Sequence, residues 1–478
     1  MKVLFAAAEA FPFAKSGGLA DVAYSLPKAL RKLGVDVRVI MPKYADISPD
    51  FSTKMKHLCH FTVPVGWRNQ YCGIEYLNLD GIPFYFIDNE YYFKRPGYYG
   101  YFDDGERFSF FSRAVCEAVY HLDFDVDIIH VNDWHTSIIP VLLKAHYMHS
   151  EKHQKIKTVL TIHNLKYQGI FPKEVMYDLL SLTDEYFDEN KLKYYDAISF
   201  LKGGIIYSDK VVTVSKTYAN EIRTLSYGEG LHGLLSGIGE KLIGIVNGID
   251  YDVYNPATDK FIFVNYDSNT FENRKKENKF KLQQMLNLPV SDEIVVIGMV
   301  SRLIKEKGID LIERILSKIL TLPIQLVILG AGDYQYEQMF RHYALAFPSK
   351  VSANICYSEE LARKIYAGSD MYLMPSLTEP CGISQLIAMR YGSVPIVRET
   401  GGLKDTVKPY NQFTGEGWGF SFANYDPSEL FAIIKYALSI YPDKAQWRSI
   451  VHQAMTRDNS WNASACEYQK VYENLLNS

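Results

Sequence analysis

The chain is short of the features that mark secreted, membrane-bound or nucleic-acid-binding proteins. Its six cysteines, at 59, 72, 116, 356, 381 and 466, show no paired spacing. That pattern argues against a disulfide scaffold and points to a reducing compartment. No apolar run reaches the length of a membrane span. The opening Met1-Lys2-Val3-Leu4-Phe5-Ala6-Ala7-Ala8 has the look of a signal peptide, but it meets Glu9 and Pro12 too soon and reads better as a first buried strand. A net charge of −4 gives no reason to expect nucleic acid or an anionic membrane as partner. What is present, 47% hydrophobic and 22% charged residues over 478 positions, describes a cytoplasmic, enzyme-sized globular protein of two or three domains.

Metal-ligand patterns are scarce too. Asp123-Phe124-Asp125-Val126-Asp127 alternates carboxylates as a divalent-ion site would, but it directly precedes the strand Ile128-Ile129-His130-Val131 and reads as loop acids. His146, His149 and His153 can share a helical face, yet no cysteine or carboxylate completes a ligand set, so they read as a solvated face. Arg274, Lys275, Lys276, Lys279 and Lys281 read as the solvated face of a basic helix. Gly330-Ala331-Gly332-Asp333 begins a dinucleotide fingerprint, but Gln335 stands where its third glycine belongs. Neither a metal nor a bound cofactor is expected.

The positive signal is βαβ repetition. Strand Val3–Ala8 leads into Lys15-Ser16-Gly17-Gly18-Leu19, a helix to Leu33, Gly34 as its stop, and strand Val35–Ile40. The glycine loop is either a plain turn with a surface lysine or a place where backbone approaches a ligand beside a mobile charge. Further strands end in polar groups, Asn132-Asp133-Trp134-His135 after one and His163-Asn164 after another, at the carboxyl edge where open α/β sheets bind ligands. His163 is either a site residue or a satisfied structural histidine. Residues 84–102 are dense in aromatic rings, some for the core and some in loop chemistry suited to stacking on sugars. After Asn247-Gly248-Ile249-Asp250 the segment Tyr251–Thr258 reads as a linker.

The pattern then restarts. Strand Ile294–Val300 runs into Ser301-Arg302-Leu303-Ile304-Lys305-Glu306-Lys307-Gly308, and Tyr357-Ser358-Glu359-Glu360 opens a helix. The apolar run Met371–Pro375 is broken by Glu379-Pro380-Cys381-Gly382 before helical spacing resumes at Ile383. A strand, tight turn and helix start of this kind gathers free N–H groups at one point, which suits a phosphate, with Glu379 just outside it. Thr400-Gly401-Gly402-Leu403-Lys404-Asp405 echoes Ser16-Gly17-Gly18-Leu19-Ala20-Asp21 in its glycines, leucine and aspartate.

Taken in order, Lys15-Ser16-Gly17-Gly18-Leu19, Asp133-Trp134-His135, His163-Asn164, Asn247-Gly248-Ile249-Asp250, Ser301-Arg302-Leu303…Lys307-Gly308 and Glu379-Pro380-Cys381-Gly382-Ile383-Ser384-Gln385 resemble the signatures of the bacterial glycogen synthase and plant starch synthase family. The likeness runs from Val3 to the terminal Trp461…Tyr468…Tyr472 helix. It implies a GT-B fold, two doubly wound Rossmann-like domains facing across a deep cleft. We expect the N-terminal, acceptor-side domain over 1–250, the nucleotide-sugar domain over 251–455, and a C-terminal helix, 456–478, crossing back to the first.

The resemblance implies transfer of glucose from ADP-glucose, with retention, to the non-reducing end of an α-1,4-glucan such as glycogen or a maltooligosaccharide. It assigns catalysis to Glu379, His163, Arg302 and Lys307. Donor or acceptor contacts fall to Lys15, Gly17, Gly18, Asp133, Asn164, Asn247, Tyr357 (near adenine), Cys381, Gly382, Ile383 and Ser384. Ser16 and Ser384 stand where threonine is frequent, and Ile383 replaces a usual leucine. Ile387 occupies the second position of the Glu-x7-Glu pattern of many related transferases, which leaves the ribose partner unassigned. The rival readings are a nucleotide-sugar epimerase or hydrolase on the same scaffold and a non-catalytic glucan-binding protein.

Overall fold

The computed structural model describes residues 1–477. Two compact units emerge, one built from Met1–Val214, Ala219–Asn247 and the terminal helix Trp461–Asn477, the other from Ser215–Tyr218 and Gly248–Ser460.

The first unit carries a nine-stranded sheet. Its strands are β1 (Lys2–Ala6), β2 (Asp36–Pro42), β3 (Lys56–Val65), β4 (Arg68–Leu79), β5 (Ile82–Asp88), β6 (Ile128–Asn132) and β7 (Lys157–Ile162). A separate three-stranded sheet, β8 (Ile170–Pro172), β9 (Lys193–Tyr194) and β10 (Ala197–Ser199), precedes the last two strands of the main sheet, β11 (Lys210–Thr213) and β12 (Leu242–Gly244). The main order is β12-β11-β7-β6-β1-β2-β5-β4-β3. It is parallel from β12 to β5, and β4 and β3 extend it antiparallel. Sequence decides this division. Val3–Ala6 is buried throughout and takes the centre, whereas β3 buries only two of its ten residues and suits an edge. The terminal helix completes the unit from far along the chain: Tyr472 Oη lies 2.6 Å from His130 Nδ1 under β6. Thr161 Oγ1 lies 2.7 Å from the other ring nitrogen. Burial pushes His130 down to about 3, so the ring is a neutral tie between hydroxyls.

The second unit is a six-stranded parallel sheet. Its strands are β13 (Val295–Val300), β14 (Ile324–Leu329), β15 (Val351–Asn354), β16 (Met371–Met374), β17 (Val394–Arg398) and β18 (Phe420–Phe422), in the order β15-β14-β13-β16-β17-β18. The glycines of the interrupted fingerprint serve packing here. A Cβ at Gly330 or Gly332 would collide with the carbonyl oxygens of Ser301 or Leu303. The segment expected to be a linker, Tyr251–Thr258, is built into this unit: the Val253 carbonyl accepts from Arg363 Nη1 at 2.7 Å and the Pro256 carbonyl from Tyr266 N–H at 3.0 Å.

Two surface expectations are corrected. His153 is buried, with its ring nitrogens 2.9 Å from Ser150 Oγ and from the Cys116 carbonyl oxygen. A turn after residue 147 carries it inward, where a continued helix would have kept it out. The basic helix Phe271–Met285 also turns two of its lysines inward. Lys279 forms a 2.8 Å ion pair with Asp370. Lys275 donates to the carbonyls of Tyr366 (3.2 Å), Ala367 (2.9 Å) and Tyr391 (3.0 Å). Carbonyl dipoles compensate an ammonium less well than a carboxylate does, and burial lowers Lys275 from 10.5 to about 7. Between those values the unfolded chain holds a proton that the folded one has released, so this group makes stability rise with pH across that window. We expect the wild-type unfolding free energy to climb from pH 7 to pH 9 relative to Lys275→Met, by at most about 1.4 kcal/mol per pH unit. Parallel pH dependences in the two proteins would refute the assignment.

Candidate functional site

In each unit the candidate residues gather where the strand order reverses. In the first unit, neighbouring parallel strands β1 and β6 run to opposite sides, and their carboxyl ends carry the Lys15 loop and Asp133. In the second, β13 and β16 do the same, and their ends carry Arg302, Lys307 and Glu379. Such switch points open the crevice in which α/β sheets take ligands.

The first unit's site is set by local capping. Asp133 has φ +53°, a left-handed backbone that aspartate tolerates at modest cost. Its Oδ1 accepts the backbone N–H of His163 at 2.7 Å and of Asn164 at 3.4 Å, joining the loops after β6 and β7. Burial pushes the Asp133 carboxyl up to about 7, against the pull of those two bonds. Asn132 donates its amide to the Ala6 carbonyl at 3.0 Å, which turns Oδ1 toward His163 Nε2 at 2.9 Å. Nε2–H is therefore the donor and Nδ1 keeps its lone pair. Burial lowers His163 to about 3, so the ring is neutral. Asn164 Oδ1 is committed to a turn, accepting Lys166 N–H at 3.0 Å. Asn247, the last residue of this unit before the chain passes to the second, is buried, and its Oδ1 has no hydrogen-bond partner among the described residues. A buried acceptor left so is costly unless a ligand supplies the donor.

The glycine loop is built differently from its echo. Lys15 Nζ pairs with Asp21 Oδ1 at 2.8 Å, within the loop and first turn of helix Gly18–Lys32. Gly17 has extended backbone, and a Cβ there would meet nothing within 4 Å. No internal packing demands that glycine, whereas a ligand approaching the backbone would. In the second unit, by contrast, Cβ atoms at Gly401 and Gly402 would strike the carbonyls of Glu379 and Cys381. Those glycines let one turn seat the other. Asp405, the counterpart of Asp21, accepts from Thr217 N at 2.8 Å and Oγ1 at 2.6 Å instead of from a lysine.

The second unit's site centres on Glu379, 6% exposed. Its Oε2 accepts from Lys307 Nζ at 2.6 Å and Ser376 Oγ at 3.1 Å. Gly308, at φ +75°, brings the Lys307 loop against the Pro375 carbonyl, where any Cβ would collide. Leu377 N–H donates to Glu306 O at 2.9 Å and closes the same junction. Arg398 Nε donates to Ser376 O at 2.8 Å from beneath. Gly382, also left-handed at φ +75°, turns the chain into the short helix Ser384–Arg390, with Cys381 buried and Ile383 at the cap. Gln385 holds that turn by donating to the carbonyls of Cys381 (3.1 Å) and Gly382 (3.0 Å). Arg302 is exposed and its side chain makes no hydrogen bond or ion pair among the described residues, and Tyr357 is 82% exposed. The structure thus joins Lys307 to Glu379 and Asp133 to the His163–Asn164 backbone, and it leaves Arg302 and Tyr357 at the surface of their unit.

Three contributors escaped sequence reading. Glu9 and Ser376 sit beside glycine loops at strand ends, a position that could have flagged them. Tyr99 belongs to the ring-dense segment: it packs on His135 at 4.5 Å between ring centres, and its buried hydroxyl faces Glu9. Among those residues, no group of three or more histidine, cysteine, aspartate or glutamate side chains is placed to hold a metal ion.

Two parallel-sheet units with ligand loops at their switch points define a GT-B glycosyltransferase, and known proteins narrow the class. Residues 2–237 match the starch synthase catalytic domain family, and residues 281–452 match glycosyl transferases group 1. A glycogen synthase of Caldicellulosiruptor bescii is 90% identical over the full length of both chains, and one of Clostridium acetobutylicum is 58% identical over the same span. The catalytic domain of starch synthase IV from Arabidopsis thaliana, solved with ADP and acarbose, superposes with a TM-score of 0.92 at 34% identity, covering 100% of this chain and 99% of that one. Sucrose-phosphate synthase from Thermosynechococcus elongatus, at TM-score 0.62 and 17% identity over 99% and 98%, shares the fold. The chain belongs to the glycogen synthase and starch synthase family of glycosyltransferases.

Proposed function

We propose that the protein transfers glucose from ADP-glucose to the non-reducing end of an α-1,4-glucan with retention, elongating glycogen in the cytoplasm. The observation that carries this reading is the Lys307–Glu379 pair at the β13/β16 switch point, in a chain whose starch synthase relative was solved with ADP and acarbose.

Cleaving the anomeric bond leaves a sugar with oxocarbenium character and a diphosphate carrying new charge. Arg302 and Lys307 neutralise that diphosphate. An ammonium has three donors, so its bond to Glu379 leaves two for phosphate oxygens. The backbone of Cys381, Gly382, Ile383 and Ser384 adds N–H groups. Glu379 and the loop of His163 hold the glucosyl hydroxyls and stabilise positive charge at the reacting carbon. Tyr357 lies along the adenine, Asp133, Asn164 and Asn247 hold sugar hydroxyls, and Gly17 and Gly18 admit the donor beside Lys15. The acceptor hydroxyl attacks on the face the diphosphate leaves, and the departing phosphate oxygen takes its proton.

Labelled glucose supplied as ADP-glucose or as UDP-glucose, with and without glycogen, tests this. We expect incorporation into glycogen with ADP-glucose preferred. Donor consumption that ignores glucan would favour a hydrolase or epimerase, and no consumption a binding protein. Because side-chain cations take the diphosphate, transfer should persist in EDTA. Its loss, restored by magnesium or manganese, would overturn that part.

A further inference from the structure

Glu9 lies just beyond the carboxyl end of β1 and is 2% exposed, yet no lysine or arginine pairs with it among the described residues. Acids in that situation are rare unless hydrogen bonds compensate them. Here the compensation comes from the glycine loop. Ser16 donates both its backbone N–H, at 2.8 Å, and its hydroxyl, at 2.6 Å, to the same Glu9 oxygen. The backbones of Gly17 and Ala20 also stabilise the charged form, while burial pushes the carboxyl upward overall. The N–H groups at the start of helix Gly18–Lys32 thus face an anion belonging to the chain itself. Lys15, one residue before Ser16, is exposed.

We propose that Glu9 is a positioning residue for glucosyl transfer: by accepting both Ser16 donors it fixes the Lys15–Gly18 loop so that Lys15 meets the donor diphosphate, a role that rests on the reading of Lys15 given above. A carboxylate that only capped the helix would affect stability and leave the kinetics of Lys15 untouched. One that positions the loop acts through Lys15, and its effect vanishes once that ammonium is gone.

The test is a double-mutant cycle on the full-length protein. Glu9→Gln, Lys15→Ala and the double variant are compared by kcat/KM for ADP-glucose at saturating glycogen, by KM for glycogen, and by unfolding midpoint. Each single variant should lose about ten- to a hundredfold in kcat/KM, the scale of a charge-assisted hydrogen bond. The double should fall no more than about threefold below the weaker single, with KM for glycogen unchanged. Multiplying losses would show that Glu9 acts apart from Lys15 and overturn the proposal. So would wild-type kinetics in Glu9→Gln beside an impaired Lys15→Ala, which would leave the reading of Lys15 standing. Wild-type kinetics in Lys15→Ala would remove that reading and this proposal together. Should Glu9→Gln fail to fold, Ser16→Ala takes its place in the cycle. It deletes only the hydroxyl donor, and a loss from it that persists in Lys15→Ala overturns the proposal equally.

Discussion

Glu379→Gln is expected to lower kcat by about a hundred- to a thousandfold while KM for ADP-glucose moves by less than about threefold. The side chain is nearly isosteric and its surroundings are fixed: Ser376 Oγ and Lys307 Nζ hold Oε2, and the Glu379 carbonyl accepts Gly402 N–H at 3.1 Å. What changes is charge. A carboxylate interacts weakly with a neutral sugar and strongly with one that has become cationic at its anomeric carbon, so its removal weighs on the transition state. Uniform binding would show the opposite split, a raised KM with kcat intact. Steady-state kinetics over a range of ADP-glucose concentrations decides between them, and the second pattern would reassign Glu379 to ground-state recognition.

Lys307→Met is expected to cost about as much in kcat/KM, a hundred- to a thousandfold, and to lower stability as well. The ammonium serves two anions, the donor diphosphate and Glu379. Without it a carboxylate 6% exposed keeps, among the described residues, only the Ser376 hydroxyl as polar side-chain partner. Breaking one side of a shielded ion pair destabilises more than replacing both sides does. The double variant Lys307→Met/Glu379→Gln should therefore recover much of the lost unfolding midpoint and none of the activity. Thermal denaturation and transfer assays on the three proteins separate the two roles. Recovery of activity along with stability would mean that the pair serves the fold and that the diphosphate is neutralised elsewhere.

What the sequence disclosed follows from what is local. Strands β13, β16 and, as far as Val397, β17 were readable as apolar runs, and β14 was readable despite Gln325, because parallel strands covered on both faces need no alternation. The loops carrying Lys15, Arg302 and Glu379 stood out because glycines and charge follow those runs directly. The antiparallel edge β3–β4 gave no such run. Contacts that cross the chain were invisible. Lys307 and Glu379 are 72 positions apart, and nothing in either loop announces the other. Lys275 and Lys279 have the spacing of a wet helical face, and only the carbonyls of Tyr366, Ala367 and Tyr391, with Asp370, reveal that this face is covered. Glu9 was hidden differently. Its partner Ser16 is only seven residues away, but an acid ending an apolar strand looks like the strand's stop signal.

The terminal helix imposes an order on manufacture. Tyr468 and Tyr472 are buried against His130 in the first unit, yet a ribosome adds them only after the whole second unit has been made. At translation speeds of about 5–20 residues per second, the strands around His130 wait tens of seconds for the rings that cover it. During that interval the β6 core is open at one face, and a nascent chain paused or cut before Trp461 carries an unfinished first unit. The helix Trp461–Asn477 therefore closes the first unit only after the second has been synthesised, so the unit that starts first is finished last.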